Sequence, residues 1–312
     1  MHPSDRHHAA ADHTVRTVRM LTETFGVLGG LCTASAAGWA LESPVLIGLS
    51  AIAQGFWFQR LYCVGHEGAH GKLWYAHPRR NDLWGQLALL PLLVPLPVFR
   101  KIHRFHHGCN RRDVHTSALD VFVVSRATPL ARLRAWVVWL LAVFGGGWFV
   151  HSVVSIVLFL ALPVRLAQRV SPAFAGWSLR DRLVSIGVFA LALAGHVALW
   201  GLGGTSLWVA VAGAPLAVFA WVYSAQLYVY HYATTLGPEV TLHARRLRSP
   251  LASWWLLHLN EHDTHHRRPS VVWYALPEVG EPLPEGFTSN QDVDTFAQGV
   301  LHQLRGPTVI EA

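Results

Sequence analysis

The hardest constraint on this chain is the length of its uncharged stretches. Residues 24–41, 43–59, 83–99, 135–164 and 183–230 contain no Asp, Glu, Lys or Arg, and one bilayer crossing needs about 20 apolar residues as a helix. The turn Glu42-Ser43-Pro44 joins the first two blocks, and the Gly-rich Gly201-Leu202-Gly203-Gly204-Thr205 divides the last. The pattern predicts two transmembrane hairpins, with spans near residues 24–41, 45–64, 183–200 and 206–230. Of the 312 residues, 52% are hydrophobic and only 14% charged, which excludes a disordered chain and argues against a soluble globule.

The placement of the cations turns this pattern into a topology. If both hairpins start and finish on one side, all 25 Lys and Arg lie there and neither connecting turn holds one. The positive-inside rule makes that side the cytoplasm. Block 83–99 carries Pro91, Pro95 and Pro97 between the basic flanks Arg79, Arg80 and Arg100, Lys101, so it reads as a re-entrant or interface-lying segment. Block 135–164 is too short for two crossings, and one crossing would put Arg165, Arg169, Arg180 and Arg182 outside. It is expected to be a membrane-embedded element broken near Gly145-Gly146-Gly147, with a single true crossing as the competing reading.

Residues 1–23, which include His2, His7, His8 and His13, have no signal-peptide pattern and are expected as a solvated cytoplasmic tail. Residues 24–275 form the membrane domain, and 276–312 a cytoplasmic C-terminal tail with one amphipathic helix around 292–304. The expected fold class is an all-α integral membrane protein: four transmembrane helices in two hairpins, interfacial or re-entrant helices, and a cytoplasmic histidine-rich cap. The net charge of +7 comes without an interleaved basic and aromatic patch, so no nucleic-acid partner is implied. Cys32, Cys63 and Cys109 form no CxxC pair, which excludes a cysteine-built zinc site or disulfide framework.

Twenty residues are histidine, and eight of them fall in three clusters: His66-Glu67-Gly68-Ala69-His70, His103-Arg104-Phe105-His106-His107 and His262-Asp263-Thr264-His265-His266. Spacings of three and four place side chains on one helical face, so each cluster can aim its imidazoles at one point. At this histidine frequency a given HxxHH window arises by chance about 3 times in 10,000. Two such windows and an HxxxH are therefore well outside composition noise. Imidazole suits Fe, Zn, Cu or Ni, and eight converging imidazoles are too many for one ion, so the count points to two metals. His258, one turn before His262, is a further candidate ligand, with packing as its alternative. Asn260, Glu261, Asp263, Asp113 and Asp120 are candidate acceptors for the distal N–H of a ligating imidazole, a bond that fixes tautomer and basicity. His77, His115, His151, His196, His243 and His302 have no motif partner and are expected to be structural. Phe56, Trp57, Phe58 and Trp221 could line an apolar slot, although packing or lipid contact is the plainer role of each.

The series HxxxH, HxxHH, HxxHH resembles the three histidine boxes of the membrane fatty acid desaturase and hydroxylase superfamily, and the resemblance covers most of the chain. Pro97-Val98-Phe99-Arg100-Lys101-Ile102-His103, and the run from His266-Arg267-Arg268-Pro269 to Leu276-Pro277, look like the same family context. The resemblance implies two Fe ions on His66, His70, His103, His106, His107, His262, His265 and His266, with O2 as co-substrate. It also implies a lipid or acyl-chain substrate and electrons from an external partner, a ferredoxin or a cytochrome b5-like protein. Members commonly add a ninth histidine at the cytoplasmic end of the last span. His231, 31 residues ahead of His262, fits that place. Some relatives hold a metal-bound water with an Asn one turn earlier, where this chain has Leu227. Gln226 faces elsewhere on a regular helix, so that role is unassigned.

Within the superfamily the expected activity is desaturation of an acyl-lipid, acyl-CoA or acyl-carrier substrate. Carotenoid ring hydroxylation or ketolation, and acyl-chain hydroxylation, acetylenic-bond formation or decarboxylation, stay open, because the outcome depends on which C–H bond sits over the irons. His66-Glu67-Gly68-Ala69-His70 is also a literal HExxH, the signature of a membrane zinc metalloprotease. That mechanism leaves both HxxHH clusters unexplained. A metal sensor or transporter would place its ligands inside the spans, whereas these clusters lie at their cytoplasmic edge.

Overall fold

Ser43 and Pro44 account for the first reversal of the chain. The Ser43 side chain accepts the N–H of Leu46, and Pro44 occupies the first helical position, where its missing N–H costs nothing. The computed structural model, which describes residues 3–117, 120–291, 293 and 295–312, thus pairs helix α1 (Pro3–Ala40) with α2 (Pro44–Ala69). Between them the Ser35 hydroxyl bonds Ser50 Oγ at 3.0 Å and Gln54 Oε1 at 3.2 Å. The hairpin's polar groups satisfy one another, while Leu49 and Ile52 face outward.

The segment 1–23 is, over its residues 11–23, not a solvated tail. Its described part is the first half of α1, with His13, Thr17, Met20 and Leu21 buried. The spacing of these residues is helical, but two of the four are polar, so a reading by hydropathy does not register the stripe. His13 is held between the Leu73 carbonyl, 3.1 Å from Nε2, and the Tyr274 hydroxyl, 3.2 Å from Nδ1.

Helices α3 (Pro78–Leu89) and α4 (Leu96–Cys109) bend by 94° across a break that contains Leu93 at φ 60° and Pro95. After strand β1 (Val121–Val124), α5 (Pro129–Val143) and α6 (Gly147–Ala161) bend by 77°, with Gly146 at φ 77°. The chain breaks at the expected glycines because a left-handed residue carries no steric cost there. Helix α7 (Val164–Val170) leads to α8 (Leu179–Trp208), which opens on a reciprocal Ser178–Asp181 cap and passes through one wide turn into α9 (Ala214–Leu227).

The α8–α9 run is not one straight rod. Gly203 (φ −152°) and Gly204 (φ 67°, ψ −164°) leave helical geometry, and the latter conformation belongs almost only to glycine. The indole N–H of Trp208 donates to His196 Nδ1 at 3.3 Å, although twelve residues of straight helix would separate them by about 18 Å. The chain therefore doubles back at these glycines. Trp39, at the far end of α1, donates its indole N–H to Ser206 Oγ at 3.0 Å, so the tips of the two hairpins lie together. From there α2 and α9 run side by side, packed closely where Gly55 meets Pro215 and Val218.

Among the described residues, the stretch Leu179–Leu227 is long and apolar enough to cross a membrane, and each of the two bent pairs passes the same test when taken as one span. Neither α1 nor α2 is among these stretches: Glu23 in α1 and Gln54, Gln59 and Arg60 in α2 interrupt their apolar runs.

The C-terminal stretch is docked and does not trail as a tail. After α10 (Pro250–Trp255) and α11 (His262–Arg267), helix α12 starts at a Thr295 cap and covers Phe296–His302. Positions 292 and 294 of the expected helix lie outside the described residues. Strand β2 (Thr308–Glu311) then pairs in parallel with β1, Val121 opposite Thr308 and Val124 opposite Glu311. A purely helical expectation misses this sheet because its two four-residue strands find each other only through tertiary folding.

Candidate metal centre

Four separate pieces of chain deliver histidines to one end of the helical bundle. His66 sits on the last turn of α2 and His70 caps it. His103, His106 and His107 follow one another along α4, His231 lies in the turns just after α9, and His262, His265 and His266 make up half of α11. The nine rings sort into two groups: His66, His70, His103, His107 and His265, and then His106, His231, His262 and His266. Within each group the candidate nitrogens all lie within 4.8 Å of one another.

The nitrogen spacing suits metal ions. In the first group Nε2 of His70 is 2.7 Å from that of His103, which is 3.0 Å from His107, itself 3.1 Å from His265. In the second, His106 and His266 are 3.2 Å apart, His266 and His262 3.2 Å, and His262 and His231 3.0 Å. With a metal–nitrogen bond of about 2.1 Å, ligands at right angles stand about 3.0 Å apart and opposite ligands about 4.2 Å. His66 Nε2 is buried without a protein partner. Lone pairs crowded in this way repel unless a cation or proton lies between them.

Four of the rings are also held by neighbours outside the two groups. His231 Nδ1 donates to the His243 carbonyl at 2.8 Å, and that oxygen also accepts from Asn110 Nδ2 at 2.9 Å. His66 Nδ1 lies 3.2 Å from Glu67 Oε1. Phe99 stacks on His103 with centroids 5.4 Å apart, and Tyr230 stacks on His262 at 4.5 Å. Burial pushes His106 down to about 4. Burial first, then the neighbouring rings, also lowers His70 and His103. The imidazoles are therefore neutral at ordinary pH, which is the ligating form.

Other expected positions are placed elsewhere. His258 joins neither group. Leu257 and His258 both have left-handed φ angles (51° and 56°), so no continuous helical face links 258 to 262, and the His258 ring lies against Trp273 instead. Asp263 binds Arg246, Arg267 and Gln291, and Glu261 pairs with Arg246. Asp120 takes Arg111 and the Ala233 N–H, Asp113 caps the turn at His115 and Thr116, and Asn260 bonds the Leu247 carbonyl. These five groups brace the loops and bond none of the nine rings. The acceptors found on ring nitrogens are Glu67 and the His243 carbonyl. Glu67 was readable as part of the first cluster, whereas a backbone carbonyl leaves no sequence signal. Among the aromatic residues, Trp57 packs on Trp254 and Phe58 on Phe219, while Phe56 and Trp221 meet on the outer surface.

A stretch of 55 residues is 42% identical to the Delta(12) fatty acid desaturase fat-2 of Caenorhabditis elegans, and it covers 18% of this chain and 14% of that protein. The fatty acid desaturase family model matches residues 43–293, from the cap of α2 past the third histidine cluster. By that match over most of its length, the chain belongs to the fatty acid desaturase family.

Proposed function

We propose that this protein is an oxygen-dependent desaturase of fatty acyl chains that works through two iron ions held by His66, His70, His103, His107 and His265 on one side and His106, His231, His262 and His266 on the other. The observation that carries the reading is the pair of nitrogen groups, five and four strong, at the shared end of two helical hairpins. The chemistry supplied by bound iron is the four-electron reduction of O2 to two waters, with two electrons from an external donor such as a ferredoxin or cytochrome b5-like protein and two from the CH2–CH2 unit that becomes CH=CH.

The protein's own residues set the conditions for that reaction. Glu67 on His66 Nδ1 and the His243 carbonyl on His231 Nδ1 fix those two rings with Nε2 facing inward. Phe99, Tyr62 and Tyr223 form an aromatic wall on the bundle side, with Tyr62 5.4 Å from Phe99 and 5.2 Å from Tyr223 between ring centroids. Such a wall excludes water from the place where an apolar chain must lie. Glu67 engages the Nδ1 side of His66, away from Nε2, so it is not placed as the general base of a metalloprotease.

The same reading places four spans near residues 24–41, 45–64, 183–200 and 206–230 within a membrane domain of 24–275, with the histidines and the cations on the cytoplasmic side. The internal Ser35–Ser50–Gln54 bonds support α1 and α2 as spans, since a polar side chain satisfied inside a hairpin costs little in lipid. Block 83–99 is then re-entrant, and 135–164 is embedded around its glycine break.

The test is expression in a heterologous host, with lipid and carotenoid profiles taken beside His106→Ala and His265→Ala. New O2-dependent double bonds in acyl chains are expected. Both variants should still insert in the membrane and lose at least about 100-fold in product, the scale on which losing a ligand or its support acts. Full product from either variant would overturn the two-iron assignment, and altered pigment with unchanged acyl chains would move the substrate to a carotenoid.

A further inference from the structure

A buried ion pair stands against the five-histidine group without being part of it. Glu67 is 3% exposed and Lys72 1%. Glu67 Oε1 lies 3.2 Å from Lys72 Nζ and 3.2 Å from His66 Nδ1, and Lys72 Nζ donates to the Val271 carbonyl at 2.9 Å. Burying two charges is costly, and a buried pair often adds no net stability over apolar residues of the same volume. Its position is therefore informative. Among the described residues, none of the other eight rings is paired with a carboxylate.

We infer that Glu67 is a positioning residue for the five-histidine metal site, acting through His66, and that Lys72 holds it in place. As acceptor of the Nδ1–H, the carboxylate fixes the His66 tautomer with Nε2 free and raises its donor strength. Lys72 supplies the countercharge, and through Val271 it ties the first histidine cluster to the segment that follows the third. Two ligand sets distant in sequence are thereby kept in register. The four-histidine group has no such carboxylate and uses the His243 carbonyl, so the two sites should respond differently when the pair is altered. This inference rests on the two-metal reading.

The experiment is a Co(II) titration of the full chain, purified in detergent and stripped of metal, followed by the cobalt absorption bands. The wild type should take two ions, with the sites assigned by His265→Ala for the five-histidine group and His262→Ala for the four-histidine group. Glu67→Gln, similar in shape, should weaken the five-histidine site about 10- to 100-fold and spare the other. Lys72→Met strands the carboxylate and should lower the melting temperature. The double variant Glu67→Gln/Lys72→Met should recover stability without recovering affinity, which separates positioning from packing. An unchanged two-site titration in Glu67→Gln, or equal loss at both sites, overturns the inference while the two-metal reading stands. A wild type that takes only one ion overturns both.

Discussion

Gly68 and Gly85 set how closely the first histidine cluster approaches the bent pair α3–α4. A Cβ at Gly68 would fall 2.7 Å from the Gly85 Cα, and the Gly68 carbonyl receives Arg100 Nη2 at 2.9 Å. A side chain here pushes α2 away from α3, the first member of the bent pair whose second member carries His103. Gly68→Val should cost about 1–3 kcal/mol of stability by overpacking and lower the metal content of purified protein, measured by thermal melting and elemental analysis. A variant with wild-type metal content would show that the close approach is incidental. At this scale the eight clustered histidines were legible because a spacing of three and four has only one geometric meaning on a helix. His258 obeyed the same spacing and was misleading, because two consecutive left-handed residues, invisible in sequence, turn it out of register.

At the scale of elements, the first half of α1 clasps the histidine end of the bundle through His13, which bonds Leu73 and Tyr274. Burial lowers the His13 pKa, against the raising effects of the Leu73 carbonyl, Glu67 and Asp12. Between its folded and unfolded pKa values the folded form thus binds fewer protons than the unfolded form. The contribution to stability is complete above the unfolded value of about 6.5 and falls as the pH drops through and below it. Protection factors of residues 11–23, hydrogen exchange corrected for its intrinsic pH dependence, should fall on acidification from pH 7 to 5, and His13→Gln should flatten that dependence. Persistent protection of the wild type at pH 5 would remove His13 from the clasp. The hairpins themselves were readable from their punctuation, Ser43-Pro44 and Gly203-Gly204. The amphipathic half of α1 was not, because its buried stripe contains His and Thr, which hydropathy counts as solvated.

Across the whole molecule, the hairpin tips meet at one end and the nine clustered histidines at the other. The chain 303–311 then laces the ligand end together. Trp139 donates to the Gln303 carbonyl at 3.1 Å, Gln303 Nε2 to the Ala225 carbonyl at 2.7 Å, and the Tyr232 hydroxyl to the Gly306 carbonyl at 2.6 Å. Ala225 and Tyr232 bracket His231, so removing residues 303–312 should destabilise the protein by several kcal/mol, with at least three hydrogen bonds lost at about 1 kcal/mol each. It should also release the ion of the four-histidine group first, as seen in a chelator challenge. Equal release from both groups would instead mean a general loosening. This lacing was beyond sequence reading, since a strand of four residues has no signature until its partner is known.

The parallel pair β1–β2 also orders events in time. Val121 is made early, and its partner Thr308 emerges from the ribosome only after every apolar block has been synthesised. The histidine end of the bundle therefore stays unlaced until the segments that carry the nine rings have all been made.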